Sequence, residues 1–215
     1  MPIADTAGRP RLEARELECI RADELVFRGV GLSVAPREVV QLVGANGSGK
    51  TSLLRILCGL TPPADGVVSW DGTDIQELGK SYTAEVCYIG HLNGVAPTLT
   101  PAENLRFAAR LCTAKPDLDL DAVIERIGLT AIADVPSRRL SAGQRQRVAL
   151  ARLLVSDAPL WVLDEPLTAL DTTGKALVEG LLAAHAARGG LAVVSTHQPL
   201  VLPADVMLKS MSIRD

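Results

Sequence analysis

The sequence predicts an α/β fold with a mainly parallel core sheet, to which an antiparallel β subdomain and a helical insertion are added. Three observations carry this reading. The runs REVVQLV, LWVLDEP and LAVVSTH are short and continuously apolar, as expected of parallel strands buried on both faces. REVVQLV ends in a glycine-rich turn and leads into SLLRILCGL, where Leu53, Leu54, Ile56, Leu57 and Leu60 recur at helical spacing. Between His91 and Ser156 no comparable strand-like run occurs, and the texture is helical.

Taken in order, RLEARELECI supplies an N-terminal strand, and GVVSWDGTDI reads as a hairpin around an Asp-Gly turn. Together they form the antiparallel patch. TPAE at 100–103 places Thr100 as N-cap, Pro101 at the first helical position and Glu103 as the closing half of a capping box. DAVIERIGL is a second amphipathic helix, stopped by Gly128. The expected division is a first core segment over 1–91, a helical subdomain over 92–157 and a second core segment over 158–215.

Composition narrows the function classes. With 215 residues, 47% hydrophobic and 22% charged, the chain can bury one substantial core, which excludes a fibre or a disordered tail. A net charge of -3 gives no electrostatic footprint for wrapping nucleic acid. No run suggests a signal peptide or a membrane span. Cys19, Cys58, Cys87 and Cys112 are widely spaced, with no C-x-x-C pair, and read as reduced structural thiols.

GANGSGKT, from Gly44 to Thr51, has the pattern G-x-x-x-x-G-K-T. The backbone N–H groups of Gly44, Ala45, Asn46, Gly47, Ser48 and Gly49 can face phosphate oxygens. Lys50 adds a cation, Thr51 can ligate magnesium, and Ser52 follows in the first turn of a helix whose dipole favours anions. A chance glycine turn is the bland alternative, but the stretch lies between a strand and a helix. LWVLDEP adds Asp164 at a buried strand end, placed to hold magnesium through water, and Glu165, placed to polarise an attacking water. The pair points to nucleoside triphosphate hydrolysis.

LSAGQRQRVALARLL, at 140–154, offers Ser141 as an N-cap and Gly143 for close backbone approach at a second helix start. An ordinary capped helix with an exposed Arg145 and Arg147 face would also account for it. Twenty residues before Asp164, however, it resembles the signature of ATP-binding cassette ATPases. The resemblance covers nearly the whole chain and implies a P-loop NTPase of that type, with ATP and Mg²⁺ as ligands. It also implies that Leu140, Ser141, Ala142, Gly143 and Gln144 complete the site of a facing second copy, that Asp171 contacts that copy, and that His197 is the switch residue at the γ-phosphate.

YIGHLNGVAPTLTPAENLRF, the signature and STHQPL are most similar to the branch of the family that serves bacterial cytochrome c maturation and haem export. That branch carries histidine, here His91, where other cassettes have a catalytic-site glutamine. The resemblance implies a peripheral subunit on the cytoplasmic side of the inner membrane, bound to integral membrane transporter subunits and meeting haem only indirectly. Two departures stand out: Arg21 lies near the place of the usual adenine-stacking aromatic, and Arg37 replaces a glycine. Another small-molecule or lipid transporter ATPase, a soluble repair or translation ATPase and a non-enzymatic nucleotide-binding module are the alternatives. The sequence lacks a long coiled-coil insertion and a second cassette and keeps Lys50 and Glu165. His185 has no motif around it and is expected at the surface.

Overall fold

The computed structural model describes residues 10–213, so the residues just after Met1, where a leader would begin, lie outside the described span. β1 (Leu12–Arg21), β2 (Glu24–Val34), β4 (Asp65–Trp70) and β5 (Thr73–Asp74) form an antiparallel sheet in the order β2-β1-β4-β5, after β3 (Glu38–Val43) and α1 (Lys50–Leu57) are set aside. The Asp71-Gly72 turn closes the β4–β5 hairpin with both residues left-handed, as an Asp-Gly pair permits. Two short helices, α2 (Ile75–Leu78) and α3 (Lys80–Ala84), lead into β6 (Val86–Ile89).

α4 (Pro101–Leu111), α5 (Leu120–Arg126) and α6 (Ala142–Val155) then precede β7 (Leu160–Asp164). The chain continues through α7 (Thr172–Ala187), β8 (Leu191–Ser195) and β9 (Met207–Ser212). The core sheet runs β6-β7-β8-β3-β9 with every pair parallel.

Alternation along these strands assigns each face a cover. On β7 and β8, Trp161, Leu163, Ala192 and Val194 pack into the core beneath α4, α5, α6 and α7. Leu160, Val162, Leu191 and Val193 point the other way, into the core shared with α1 and the antiparallel sheet. All ten residues of β7 and β8 are buried, which explains why both read as unbroken apolar runs. Truncating Leu163 to alanine here costs about 2–5 kcal/mol.

The capping box expected at α4 is present: Thr100 Oγ1 accepts the Glu103 N–H at 3.2 Å, and Glu103 returns the bond to the Thr100 N–H at 2.9 Å. α5 is capped by Asp119 and ends before Gly128, at φ 71°. α1 stops at Leu57, so Leu60 lies beyond the helix and is exposed rather than on its apolar face.

His185 corrects an expectation. It is buried rather than superficial, stacked on Trp161 with ring centroids 3.8 Å apart, and its Nε2 is 3.0 Å from the Pro159 carbonyl. Its position on the inner face of α7 is fixed by the β7 partner it meets, which no local pattern announces. All four cysteines are free, and three of them are buried. Among the described residues no helix is long and apolar enough to cross a membrane.

Candidate active site

The loop 44–49 joins the end of β3 to α1. Gly49, the residue before the helix, is left-handed at φ 89°. A Cβ there would lie 2.7 Å from Val26 Cγ1 and 2.9 Å from Phe27 Cδ1, so glycine is required for both conformation and space. No acidic residue occupies the first turn of α1 and no side chain caps it, which leaves its N–H groups facing the site. Lys50 is buried, and its Nζ donates to the Gly44 and Ala45 carbonyls at 2.8 Å each. Ser48 Oγ is buried and has no hydrogen-bond partner among the described residues, an open polar atom within the phosphate loop itself.

Thr51 Oγ1 donates to Asp164 Oδ2 at 2.8 Å, bringing the start of α1 to the end of β7. Asp164 is 2% exposed, and its other oxygen accepts from Ser195 Oγ at 2.6 Å. Glu165 turns out of the strand with φ 52°. His197 Nε2 stands 3.2 Å from Glu165 Oε1, close enough for an ion pair but without hydrogen-bond alignment, and Oε1 has no hydrogen-bond partner among the described residues.

Asn46, Gly47, Gly49, Lys50, Thr51 and Ser52 line a cavity of about 590 Å³ together with Asp164, Glu165 and His197. His91 also faces it, from the loop after β6, and so does Arg21, from the β1–β2 hairpin. Among the described residues no Phe, Tyr or Trp lines it.

The signature forms a separate place. Ser141 caps α6 through a second capping box, with Ser141 Oγ accepting the Gln144 N–H at 3.1 Å and Gln144 Oε1 accepting the Ser141 N–H at 2.8 Å. Leu140 is buried behind it. Ser141, Ala142, Gly143 and Gln144 line a second cavity, of about 530 Å³, which shares no residue with the first. A Cβ on Gly143 would come within 2.6 Å of the Ala169 carbonyl oxygen, so this helix start and the loop after β7 touch backbone to backbone.

Asp171, in the same cavity, caps α7 by accepting the Gly174 N–H at 2.8 Å. Arg147 bonds Asp171 and Thr173 at 3.1 and 2.8 Å, so it ties α6 to α7 instead of standing free on an exposed face. Hydrogen bonds from the Gly174 N–H, the Thr173 hydroxyl and Arg147 hold the Asp171 carboxyl below its ordinary pKa.

The donor set fits magnesium bound with a nucleotide. One hydroxyl and one carboxylate meet at the phosphate loop, and no group of three His, Cys, Asp or Glu side chains capable of caging a metal occurs among the described residues. Magnesium commonly takes one or two carboxylates and fills its shell with water and substrate phosphates.

Residues 27–168 match the family model described as ABC transporter. The chain is 50% identical over 190 residues to the cytochrome c biogenesis ATP-binding export protein CcmA 2 of Cupriavidus metallidurans, covering 88% of this chain and 90% of the relative. The chain belongs to the ABC transporter family, among its cytochrome c biogenesis members.

A second such ABC protein, CcmA of Methylococcus capsulatus, is 49% identical over 193 residues, covering 89% of this chain and 93% of its own length. Among solved structures, an ATP-binding subunit of an ABC transporter superposes with a TM-score of 0.78 at 26% identity, over 86% of this chain and 79% of that one. A dimeric ABC cassette in a post-hydrolysis state, bound to ADP and Pi, gives 0.74 at 25% identity over 87% and 88%. As an ABC transporter ATPase, the chain hydrolyses ATP.

Three features of this cassette's site were not legible in its sequence. Ser195, Gln41 and Arg147 reach the acids, the His197 loop and Asp171 only through the fold. Gln41, on β3, donates from Nε2 to the Gln198 carbonyl at 3.0 Å and accepts the Leu200 N–H at 3.4 Å, holding the segment that follows His197.

Proposed function

We propose that this chain drives a membrane export complex of cytochrome c biogenesis by hydrolysing ATP at sites shared between two copies of itself. The observation that carries the reading is the meeting of Lys50, Thr51, Asp164, Glu165 and His197 around one cavity at the N-terminus of α1. The loop N–H groups of residues 44–49 and Lys50 bind the phosphates. Thr51 and Asp164 would hold magnesium, which when bound would supply positive charge against the phosphates.

Glu165 takes a proton from the attacking water as its oxygen bonds to the γ-phosphorus. The bond to the bridging oxygen breaks, and ADP and phosphate leave. His197, 3.2 Å from Glu165 Oε1, would orient that carboxylate and meet the γ-phosphate. His91 also lines this cavity and would meet the attacking water there.

Two copies are needed because the signature of one copy lies in a cavity apart from its own phosphate loop. Head-to-tail pairing about a two-fold axis would bring each signature to the other copy's nucleotide, with Asp171 at the contact. The dimeric cassette of like fold supports this pairing.

A groove of about 750 Å³ between β6, α4 and α6 supports the docking of an integral membrane subunit. Phe107 and Leu111 are exposed along it, with Lys80, Arg110 and Arg152 at its edge. Asn104 ties the His91 loop to this groove: its side chain accepts the Ala96 N–H at 2.8 Å and donates to the Ala96, Leu99 and Thr100 carbonyls. Haem would be handled by the membrane subunits, and the chain would sit at the cytoplasmic face of the inner membrane. The test is complementation: a strain lacking this gene should fail to assemble c-type cytochromes and recover with the original chain but not with Lys50→Ala. Normal cytochromes in the lacking strain would sink the pathway reading.

A further inference from the structure

The two acids of the site share one hydroxyl. Asp164 and Ser195 are register partners on the adjacent strands β7 and β8. Ser195 is fully buried, and its Oγ donates to Asp164 Oδ1 at 2.6 Å while accepting the Glu165 N–H at 3.0 Å. The Ser195 carbonyl accepts the same N–H at 3.0 Å. The remaining oxygen, Asp164 Oδ2, faces Thr51.

We infer that Ser195 is a positioning residue for both acids, a role that rests on the ATPase reading above. Its hydroxyl fixes the rotation of the Asp164 carboxylate, so that Oδ1 is held by β8 and Oδ2 is presented to Thr51 and the metal side of the cavity. The same oxygen helps anchor the backbone of Glu165, whose φ of 52° is disfavoured for a residue with a Cβ. Ser195 is fully buried and is not among the residues that line the nucleotide cavity. Its action resembles that of groups behind metal ligands, which orient a ligand they do not replace.

A serine that only fills its place in a buried strand would behave differently. Ser195→Ala keeps the parallel ladder, since that ladder uses backbone groups, and removes only the shared hydroxyl. Loss of orientation should appear where the metal matters and not where the phosphate loop acts alone.

The experiment measures binding of ATP to the purified full chain, once with magnesium and once with EDTA. Lys50→Ala is the control and Ser195→Thr the conservative variant. Ser195→Ala should weaken magnesium-dependent binding about tenfold or more while leaving metal-free binding within about twofold, and Ser195→Thr should recover the loss. The half-saturating magnesium concentration for turnover should rise in parallel. Should Ser195→Ala not fold, Ser195→Cys keeps the volume with a weak donor and takes its place. Should Ser195→Thr not fold, the magnesium split in the smaller variant decides alone.

Unchanged magnesium dependence, or equal losses with and without the metal, would overturn the role given to Ser195. A wild-type chain that binds no ATP, or binds it as well after Lys50→Ala, would instead remove the ATPase reading.

Discussion

Thr51 and Asp164, 113 positions apart, share a hydrogen bond of 2.8 Å between Thr51 Oγ1 and Asp164 Oδ2. It joins the first turn of α1 to the end of β7 on the edge of the cavity that Lys50 and Glu165 also line. In the proposed mechanism both groups would hold one magnesium ion. Thr51→Val, which keeps the shape and removes the hydroxyl, should lower affinity for magnesium-bound ATP about tenfold and affect metal-free ATP little. Titration calorimetry with and without EDTA checks it.

Gly143 and the Ala169 carbonyl make a second close contact, with room for no Cβ. Gly143→Ala should displace the signature loop and lower turnover about a hundredfold, as misplacement near 1 Å can do, while ATP binding to the chain's own phosphate loop persists. Mixing Gly143→Ala chains with Lys50→Ala chains should restore part of the activity, because the mixed pair contains one intact composite site. Steady-state phosphate release from the separate and mixed preparations measures both effects.

His185 gives the fold a pH dependence of known sign. Burial, reinforced by the charges of Arg188 and Lys115, pushes its pKa down from 6.5 to about 4 in the folded chain. Between those values the unfolded chain binds a proton that the folded one does not, so stability is complete above about pH 6.5 and falls as pH drops toward 4. The total loss is about 3 kcal/mol. His185→Phe retains an aromatic ring against Trp161 and should flatten this part of the profile in denaturant melts at pH 7, 5.5 and 4.

What the sequence made legible was local or covalent in origin. The Thr100 capping box, the glycine loop before Lys50 and the Asp71-Gly72 turn are each specified by neighbours a few positions away. The apolar runs of β7 and β8 declare burial on two faces.

Contacts set by strand register left no such mark. Ser195 is one more small residue in a buried strand until β8 lies beside β7, and only then does its hydroxyl reach Asp164. His185 was misplaced for the same reason, since Trp161 and the Pro159 carbonyl come from another part of the chain. An exposed Arg147 face stays open as an alternative in the sequence because its partners, Asp171 and Thr173, follow 24 and 26 positions later.

His91 faces the nucleotide cavity from an exposed loop that Asn104 ties to the apolar groove. In the complex with its membrane partners, His91→Ala should lower ATP turnover about tenfold or more and change ATP binding little, and His91→Gln should retain most of the turnover. Turnover equal to the original protein in the alanine variant would make His91 a bystander.

The central claim is that Glu165 takes the proton of the water that cleaves ATP. Single-turnover hydrolysis of radiolabelled ATP by the original chain and by Glu165→Gln, each with bound ATP quantified in the same samples, tests it most directly. The account predicts equal ATP binding, a cleavage rate lowered about a hundredfold or more, and accumulation of an ATP-bound dimer in the variant. Cleavage by Glu165→Gln at the original rate would contradict it.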